Sequence, residues 1–369
     1  MMDIRLVVRN TGHDFFGRST GAGALAIWTH HLDSIDFVPW SDSYFRGTAM
    51  KIGAGVMGYQ AARAAEAAAR VVVTGECPTV GLAGFTMGAG HSALSTSFGI
   101  GPDQVLAYEV VTSSGFLAPS GGGPGTYGVV VSMTVKTYPA FKVGGGTLQL
   151  AAAYTTQDKF NQAVAALHAL LPGMTDLGAD VIYVATNQAL HINPVTVYNS
   201  TGDYVQNTVL APFIAKLNDL GIPFATKYTT LSYLDHYDTY MGPLPNGNMA
   251  VETYYSADYR APTGAAANAL QLITLWNSSS AAWPAMLAEH QRITNELVPQ
   301  IEAVTPGSAA YVNEADFNQP DWKTAFFGAN YDKLLAIKKR WDPTSLFYVL
   351  KGVGSDAWTV GPDGRMCRA

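Results

Sequence analysis

IRLVVRNTGHDFFGRSTGAG, residues 4–23, is the stretch of this sequence that most narrows the choice of fold. The apolar run at 4–8 predicts a buried strand. It leads directly into a polar turn, residues 9–23, in which glycine recurs and regular secondary structure is not expected. Backbone N–H groups remain available in such turns and commonly hold anions. The stretch therefore predicts a strand followed by an anion-binding turn that contains His13.

A second glycine pattern, GAGVMG at 53–58, precedes an alanine-rich helix predicted over 59–70 and an apolar strand predicted over 71–76. This order imitates a dinucleotide-binding fingerprint, with Glu76 placed where an acid could bind ribose. The preceding strand, near 44–52, carries charged residues, whereas the first strand of a parallel doubly wound sheet is nearly all apolar. We prefer a tight strand-to-helix turn and keep an NAD(P)-dependent dehydrogenase as the alternative.

Cys77 opens another loop of small residues, CPTVGLAGFTMGAGHSALS at 77–95. His13 and Cys77 both lie beside glycines, which permit the close approach of a flat ligand. Taken singly, a turn histidine and a small buried cysteine are common structural residues. Their occurrence in two glycine-rich contexts, 64 positions apart, favours a shared ligand.

These two segments resemble the paired flavin-attachment segments of the berberine-bridge-enzyme-like FAD-linked oxidoreductases, within the vanillyl-alcohol-oxidase family of PCMH-type FAD-binding proteins. GGGPGTYGVV at 121–130 and AFFGANYDKLLAIKKRWDPTSLF at 325–347 are similar to two further segments of that family, in the same order. The resemblance is weak across 146–300. Details such as GRSTGAG and GHSAL are most similar to fungal members, many of which act in secondary metabolism.

The resemblance implies an α+β fold in three parts. We expect an incomplete PCMH-type FAD-binding domain over residues 1–143 and an α+β substrate domain with an antiparallel sheet over 144–310. A C-terminal segment, 311–369, is expected to return to the FAD domain and complete the FAD site. The sequence pattern agrees, because strand-like and amphipathic helical stretches alternate from about residue 146.

The cofactor implied by the resemblance is FAD, bonded through both His13 at its 8α carbon and Cys77 at its C6 carbon. Backbone N–H groups of the two glycine-containing loops would hold the pyrophosphate. No metal is expected. The residues assigned to cofactor binding are His13, Cys77, Arg9, Asn10, Thr11, Gly12, Gly17, Arg18, Ser19, Thr79, Gly81, Gly84, Gly88, Gly90, His91, Val130, Asn330 and Tyr331.

The activity implied by the resemblance is that of an oxidase. A small organic substrate with an alcohol, an amine or an activated C–H bond would give a hydride to covalent flavin, and dioxygen would reoxidise the flavin and yield hydrogen peroxide. An ionisable side chain would remove the substrate's proton. The candidates for that base are Tyr254, Tyr311 and Glu252, together with Tyr255. A non-redox or inactive homologue is the further alternative.

Composition limits the partners of this chain. The 22 basic and 28 acidic residues give a net charge of −6, and no basic block is present, so nucleic acid is not an expected partner. No apolar run approaches the roughly 18 residues of a membrane span, so no membrane contact is expected. The expected partners are a small-molecule substrate and dioxygen, and the expected state is a monomer.

Two departures from the family suggest a shortened chain. Only 12 residues precede His13, where relatives usually carry a longer strand-and-helix segment, and the short FLAPS connects Gly115 to Gly121. We expect this chain to be truncated, to expose apolar surface and to bind FAD poorly. A signal peptide in a missing N-terminal part would make the protein secreted.

Overall fold

The computed structural model of the protein describes most of the chain, and for the strands at 117–118, 254–261 and 270–275 it describes the backbone alone. The described residues are 5–14, 16–21, 23–114, 117–118, 125–247, 254–261, 270–275, 283–361 and 366–369.

The described residues contain both helices and largely antiparallel sheets, as an α+β fold does. The helices are α1 (Gly58–Ala67), α2 (Leu82–Met87), α3 (Ser95–Phe98), α4 (Gln157–Asp176), α5 (Gly202–Tyr204), α6 (Ala211–Leu220), α7 (Tyr233–Met241), α8 (Trp283–Arg292), α9 (Val298–Val304), α10 (Trp322–Phe327) and α11 (Tyr331–Trp341). The strands are β1 (Leu6–Arg9), β2 (Leu25–Trp28), β3 (Ile35–Ser41), β4 (Arg46–Gly53), β5 (Arg70–Val71), β6 (Val105–Thr112), β7 (Leu117–Ala118), β8 (Gly128–Lys136), β9 (Tyr138–Pro139), β10 (Val143–Ala151), β11 (Ala179–Ala185), β12 (Ala189–Tyr198), β13 (Ala225–Leu231), β14 (Tyr254–Ala261), β15 (Leu270–Leu275), β16 (Ala309–Ala310), β17 (Trp358–Val360) and β18 (Met366–Arg368).

The first large sheet has the strand order β3-β4-β8-β6-β7, and its neighbouring strands are antiparallel. Met50, Ile52 and Met133 from this sheet share one buried core with Ala61 of α1. The glycine pattern at 53–58 therefore ends an antiparallel strand. A dinucleotide-binding fingerprint ends the first strand of a parallel sheet, so the NAD(P)-dependent alternative loses its structural basis.

Gly53 and Gly55 serve close packing against the turn that follows β2. A Cβ atom on Gly53 would lie 2.1 Å from the carbonyl oxygen of Leu32, and one on Gly55 would lie 2.4 Å from that of Thr29. No side chain fits within these distances, so glycine is needed where this backbone lies against the backbone of the turn after β2. This outcome agrees with the tight strand-to-helix turn that we preferred.

The second large sheet has the order β11-β12-β10-β13 and is antiparallel throughout. Phe160 and Leu167 of α4 and Phe213 of α6 share its core with Leu148 and Leu190. The antiparallel sheet expected in the middle of the chain is confirmed. The boundaries that we set at 143/144 and 310/311 stay predictions.

The C-terminal segment contacts the N-terminal third of the chain. The Oγ of Ser113 donates a hydrogen bond of 2.9 Å to the carbonyl oxygen of Trp341, and the buried Lys338 ammonium donates to the carbonyl oxygen of Thr126. Helix α11 ends at Trp341, and the Asp342-Pro343 pair that follows cannot continue a helix. Both Leu346 and Phe347 donate backbone N–H groups to the Asp342 carboxylate, so this aspartate folds the chain after the helix.

One predicted strand is wrong in extent. We expected a strand over 71–76, but only Arg70 and Val71 form one, paired with β9. The chain after Val71 is buried and irregular, and the hydroxyl of Tyr237 donates to the carbonyl oxygen of Gly75 at 2.7 Å. This part of the backbone bonds to α7 instead of to a neighbouring strand.

Strand β2 carries exposed apolar side chains. It pairs in parallel with β1 in a two-stranded sheet, and 61% of Leu25 and 56% of Trp28 remain exposed.

Among the described helices, none combines the length and the apolar character that crossing a bilayer requires.

Replacing Gly55 by alanine tests the packing role of the glycine pattern. We expect Gly55→Ala to lower the free energy of unfolding by about 3 kcal/mol, because the added methyl group collides with backbone that cannot move away. Gly173→Ala is the matched control, since no atom lies within 4 Å of its Cβ position in α4, and it should be neutral or stabilising by up to about 1 kcal/mol. Urea unfolding followed by circular dichroism measures both. Equal effects of the two substitutions would contradict the packing role.

Candidate active site

The turn between β1 and β2 is held rigidly. The carboxylate of Asp14 accepts hydrogen bonds of 2.6 Å from both the backbone N–H and the Nε–H of Arg18. Arg18 is only 5% exposed, and its guanidinium also donates to the carbonyl oxygen of Val312 at 3.0 Å. Gly12 and Gly17 adopt positive φ values of 91° and 68°, which favour glycine. The predicted irregular turn is therefore present, and its charged pair ties it to the C-terminal segment.

The loop that begins at Cys77 packs against this turn. The N–H of Gly81 donates to the hydroxyl of Thr11 at 3.2 Å, and the amide of Asn10 donates to the carbonyl oxygen of Ala54 at 2.6 Å. A Cβ atom on Gly81 would lie 2.0 Å from the amide nitrogen of Asn10. The glycine is thus needed for the two loops to meet.

His13 and Cys77 converge on one hydroxyl group. The Nε2 atom of His13 lies 2.8 Å from the Oγ1 of Thr79, and the Sγ of Cys77 lies 3.5 Å from the same oxygen. Cys77 is a free, half-buried thiol. Two residues 64 positions apart in the sequence therefore lie side by side.

A cavity of about 280 Å³ lies where the two loops and the C-terminal segment meet. Its wall is mostly apolar, with polar groups at a few points, as ligand pockets commonly are. Many of the residues that we assigned to the cofactor or to catalysis line it, namely Asn10, Thr11, Gly12, His13, Arg18, Ser19, Cys77, Gly81, Gly84, Val130 and Tyr311.

Several predicted residues support the cavity without lining it. Arg9 lies over the ring of Trp28, Gly17 shapes the turn, and Thr79 contacts both His13 and Cys77. Gly88 and Gly90 give room to neighbouring side chains. A Cβ on Gly88 would lie 1.9 Å from the amide of Asn313, and one on Gly90 would lie 2.2 Å from the ring of Phe85.

Asn330 and Tyr331 are not among the residues that line this cavity, and their contact with flavin stays a prediction. Asn330 is exposed, and the hydroxyl of Tyr331 donates to the carboxylate of Asp356 at 3.1 Å. The Tyr331 ring lies against Trp322. The start of α11 thus packs on its own C-terminal neighbours, which sequence similarity alone does not reveal.

The candidate bases have different outcomes. Glu252 lies outside the described residues, and Tyr254 and Tyr255 lie on β14, whose side chains also fall outside them. Tyr311 lines the cavity and is 8% exposed. Burial, then the charge of Glu314, raises the pKa of Tyr311 above its ordinary value, so this hydroxyl stays protonated at neutral pH.

An acidic cluster around His91 was missed by the sequence analysis. Its Nδ1 lies 3.0 Å from a carboxylate oxygen of Glu76, and its Nε2 lies 3.5 Å from one of Glu314. Glu314 and Tyr311 line the cavity, and Tyr311 packs its ring edge-on against His91 at 5.3 Å. The sequence gives no spacing signal for this cluster, because its members come from distant parts of the chain.

The ionisation of the cluster follows from its charges. Burial by itself lowers the pKa of His91, but the Glu76 and Glu314 carboxylates more than offset that effect and raise it well above its ordinary value. Burial, and then the charge of Glu76, raises the pKa of Asp180 to about 7. His91 is therefore an imidazolium at neutral pH, and Asp180 is close to half protonated.

Two parts of this chain match known protein families. Residues 2–118 match the family model described as FAD binding domain, and residues 310–354 match the model described as berberine and berberine like. These two ranges contain the two loops and the C-terminal wall of the cavity.

The curated relatives cover nearly the whole chain. FAD-linked oxidoreductase ZEB1 of Gibberella zeae is 41% identical, over 99% of this chain and 74% of the relative. FAD-linked oxidoreductase patO of Aspergillus clavatus is 40% identical with the same coverage. The VAO-type flavoprotein oxidase VAO615 of Thermothelomyces thermophilus is 35% identical, over 100% of this chain and 75% of the relative.

The solved structures agree with this assignment. The VAO-type flavoprotein MtVAO615 from Myceliophthora thermophila superposes with a TM-score of 0.91 at 34% identity, over 99% of this chain and 78% of that one. MtVAO713 from the same fungus gives 0.85 at 20% identity and supports the fold alone. The fold is therefore that of VAO-type, PCMH-type flavoproteins. The chain belongs to the berberine-bridge-enzyme-like FAD-linked oxidoreductases, as the sequence analysis expected.

The cavity fits a flavin cofactor in two respects. A Cβ added to Gly84 would meet no atom within 4 Å, so the missing side chain keeps that part of the wall open for a flat ligand. Asn10 lines the cavity, and its buried Oδ1 atom has no hydrogen-bond partner among the described residues, so it is an acceptor that a bound ligand would satisfy.

Replacing Asp180 by asparagine tests the ionisation of the acidic cluster. A carboxyl whose folded pKa is raised from 3.8 to about 7 stabilises the fold below pH 3.8, and that contribution is lost as the pH rises through 7. The free energy of unfolding of wild type should therefore fall by up to a few kcal/mol between about pH 4 and pH 7, and Asp180→Asn should lack this fall. Melting temperatures measured across that range check this. Asp235→Asn, in the exposed first turn of α7, is the control, and an unchanged pH slope in Asp180→Asn would contradict the expectation.

Proposed function

We propose that this chain is an oxidase whose FAD is attached covalently at both His13 and Cys77. A small organic substrate with an alcohol, amine or activated C–H group gives a hydride to the flavin, and dioxygen then takes the electrons and forms hydrogen peroxide. The observation that carries the proposal is the meeting of His13 and Cys77 at the hydroxyl of Thr79, on the wall of one cavity.

Double attachment requires two nucleophiles beside one ring. The 8α carbon is the methyl carbon attached to C8 of the flavin's benzenoid ring, and C6 is a carbon of that same ring, so the histidine nitrogen and the cysteine sulfur must lie close together. In this chain both atoms contact a single hydroxyl oxygen. Neither residue would need to be near the other if one were only a turn residue and the other only a packing residue.

Other groups on the wall suit the rest of the cofactor. Arg18 brings a buried positive charge that Asp14 and the Val312 carbonyl hold in place. The N–H groups of the turn at 10–12 lie on the same wall and are suited to phosphate oxygens. These residues would bind and orient FAD, and the apolar remainder of the wall would keep water from the reacting atoms.

The relatives support an oxidase and leave its substrate open. ZEB1 and patO bear the name FAD-linked oxidoreductase, and VAO615 bears the name flavoprotein oxidase. We further propose that the chain acts as a monomer, that it is secreted, and that its exposed β2 surface lowers the fraction of the purified protein that acquires FAD. The ratio of flavin absorbance to protein absorbance measures that fraction.

An absorbance spectrum, taken before and after acid precipitation, tests double attachment. We expect flavin absorbance to stay with the precipitated wild-type protein and with His13→Ala and Cys77→Ala singly, because one bond suffices to retain the cofactor. It should be released by acid only in the double variant. Colour that leaves the wild-type pellet would contradict covalent attachment, and a colourless purified protein would contradict FAD retention by this chain.

Substitution of Thr79 tests its shared contact. A hydroxyl has one proton to donate, so it can accept from His13 Nε2–H while donating to the Cys77 sulfur. That arrangement places the nucleophilic lone pair of the imidazole on Nδ1 and orients the Cys77 sulfur beside it. Thr79→Val should lower the fraction of doubly attached flavin about tenfold, and Thr79→Ser should restore it. Mass spectrometry of flavin-bearing peptides measures both, and equal attachment in Thr79→Val and wild type would refute the role.

A further inference from the structure

A short turn after β16 brings a carboxylate to the cavity wall. Tyr311, Asn313 and Glu314 of this turn all line the cavity. The amide of Asn313 donates to the carbonyl oxygen of Gly84 at 3.2 Å and to the hydroxyl of Tyr311 at 3.0 Å. These bonds fix the turn on the loop that begins at Cys77, so Glu314 has a defined position beside the proposed flavin site.

The carboxylates among the described lining residues are those of Asp14 and Glu314. Asp14 is occupied by Arg18, which binds it through a backbone N–H and its guanidinium. Both oxygens of the Asp14 carboxylate accept hydrogen bonds of 2.6 Å from Arg18, so that carboxylate is poorly placed to receive a substrate proton. Glu314 lies 3.5 Å from His91, a longer and weaker contact, and it is the more suitable acceptor.

His91 holds the carboxylate of Glu314 in its orientation. The imidazolium lies between Glu314, at 3.5 Å, and Glu76, at 3.0 Å, so one ring nitrogen faces each carboxylate. The three side chains are enclosed by protein, yet each keeps about a quarter of its surface open, with 29% for His91, 27% for Glu76 and 25% for Glu314. Because the ring is fixed on the Glu76 side, it can orient Glu314 toward the cavity.

The cluster carries a net negative charge. Glu76 and Glu314 contribute two negative charges, and His91 contributes one positive charge. A substrate carboxylate placed here would be repelled, whereas a hydroxyl or an ammonium group could donate a hydrogen bond to Glu314. The cluster thus discriminates among substrates by charge.

We propose that Glu314 receives the hydroxyl or amino group of the substrate and takes its proton, so that the substrate is an alcohol or an amine and not a carboxylate. This assignment rests on the proposed oxidase function. The C–H bonding pair leaves the substrate carbon as hydride for the flavin, the O–H or N–H proton passes to the Glu314 carboxylate, and a C=O or C=N bond forms. His91 is a positioning residue, since it acts through Glu314.

Binding of three probes with the same ring tests the charge preference. The probes are benzylammonium, benzyl alcohol and benzoate. Each is titrated into the full chain, and its binding is measured by calorimetry. We expect wild type to bind benzylammonium and benzyl alcohol at least tenfold more tightly than benzoate, and Glu314→Gln to reduce this preference below threefold. Glu296→Gln, at a carboxylate that is 65% exposed, is the matched control and should behave as wild type.

Three results would overturn the charge preference. They are benzoate binding as tightly as the other probes, no detectable binding of any probe, and the same change in Glu296→Gln as in Glu314→Gln. Calorimetry does not depend on flavin being present. A colourless protein would therefore count against the proposed function and leave this binding result readable.

Anaerobic reduction of the flavin-loaded enzyme tests proton acceptance. Benzyl alcohol or benzylamine should bleach the wild-type flavin, and Glu314→Gln should slow this about 100-fold, as removal of a general base commonly does. Reduction by dithionite should be unchanged in the variant. Bleaching of Glu314→Gln at the wild-type rate would overturn the base assignment, and failure of both probes to reduce wild type would overturn the substrate class.

A pH profile separates a positioning role of His91 from a purely structural one. His91→Gln removes a positive charge 3.5 Å from Glu314, so it should move the midpoint of the pH dependence of benzylammonium affinity. The groups that face His91 are Glu76 and Glu314, with Tyr311 and Asp180 beside them, while Tyr233 of α7 senses both Glu76 and Asp180. An unmoved midpoint in His91→Gln would overturn its role.

Discussion

The buried ammonium group of Lys338 is the interaction on which the rest of the site depends. It donates to the carbonyl oxygens of Thr126 and Phe347 and to the Asp342 carboxylate, and Lys338 is only 4% exposed. Burial lowers the pKa of Lys338, and Asp342 opposes that effect. Removing one partner of such a pair usually costs about 3 to 5 kcal/mol, because an unpaired charge stays buried. The ammonium thus joins two walls of the cavity, the turn before β8 and the chain after α11.

A second buried charge closes the cavity from the other side. Arg18 bonds to Asp14 within the first turn and to the Val312 carbonyl in the C-terminal segment. Along the chain, Glu314 lies between Val312, which binds Arg18, and Lys338. The same segment therefore completes the cofactor cavity and brings an acidic group into it. Gly81 and Gly88 lie nearby, at points where loops contact each other too closely for a side chain to fit.

The sequence predicted the local features of this site well. The turn around His13 and the loop after Cys77 were recognisable because glycine and polar residues stand next to one another along the chain. Both the turn and the loop line the cavity. The strand expected over 71–76 was too long, because hydrophobicity signals burial and does not say which partner takes the backbone bonds. The contacts of Tyr331 with Asp356 and Trp322 could not be predicted, because they depend on the packing of the C-terminal segment.

By itself, the sequence determined the family, the α+β class and the two loops that bear His13 and Cys77, because these depend on residue types at short spacing. Only the tertiary structure decided that Thr79 is shared by both residues and that Glu76, His91 and Glu314 form one cluster. Those contacts join residues far apart in the chain, and the acidic groups are brought together by the packing of separate loops. The ionisation of His91 and Asp180 depends on that packing, since burial and neighbouring charges set a pKa that no local sequence pattern encodes.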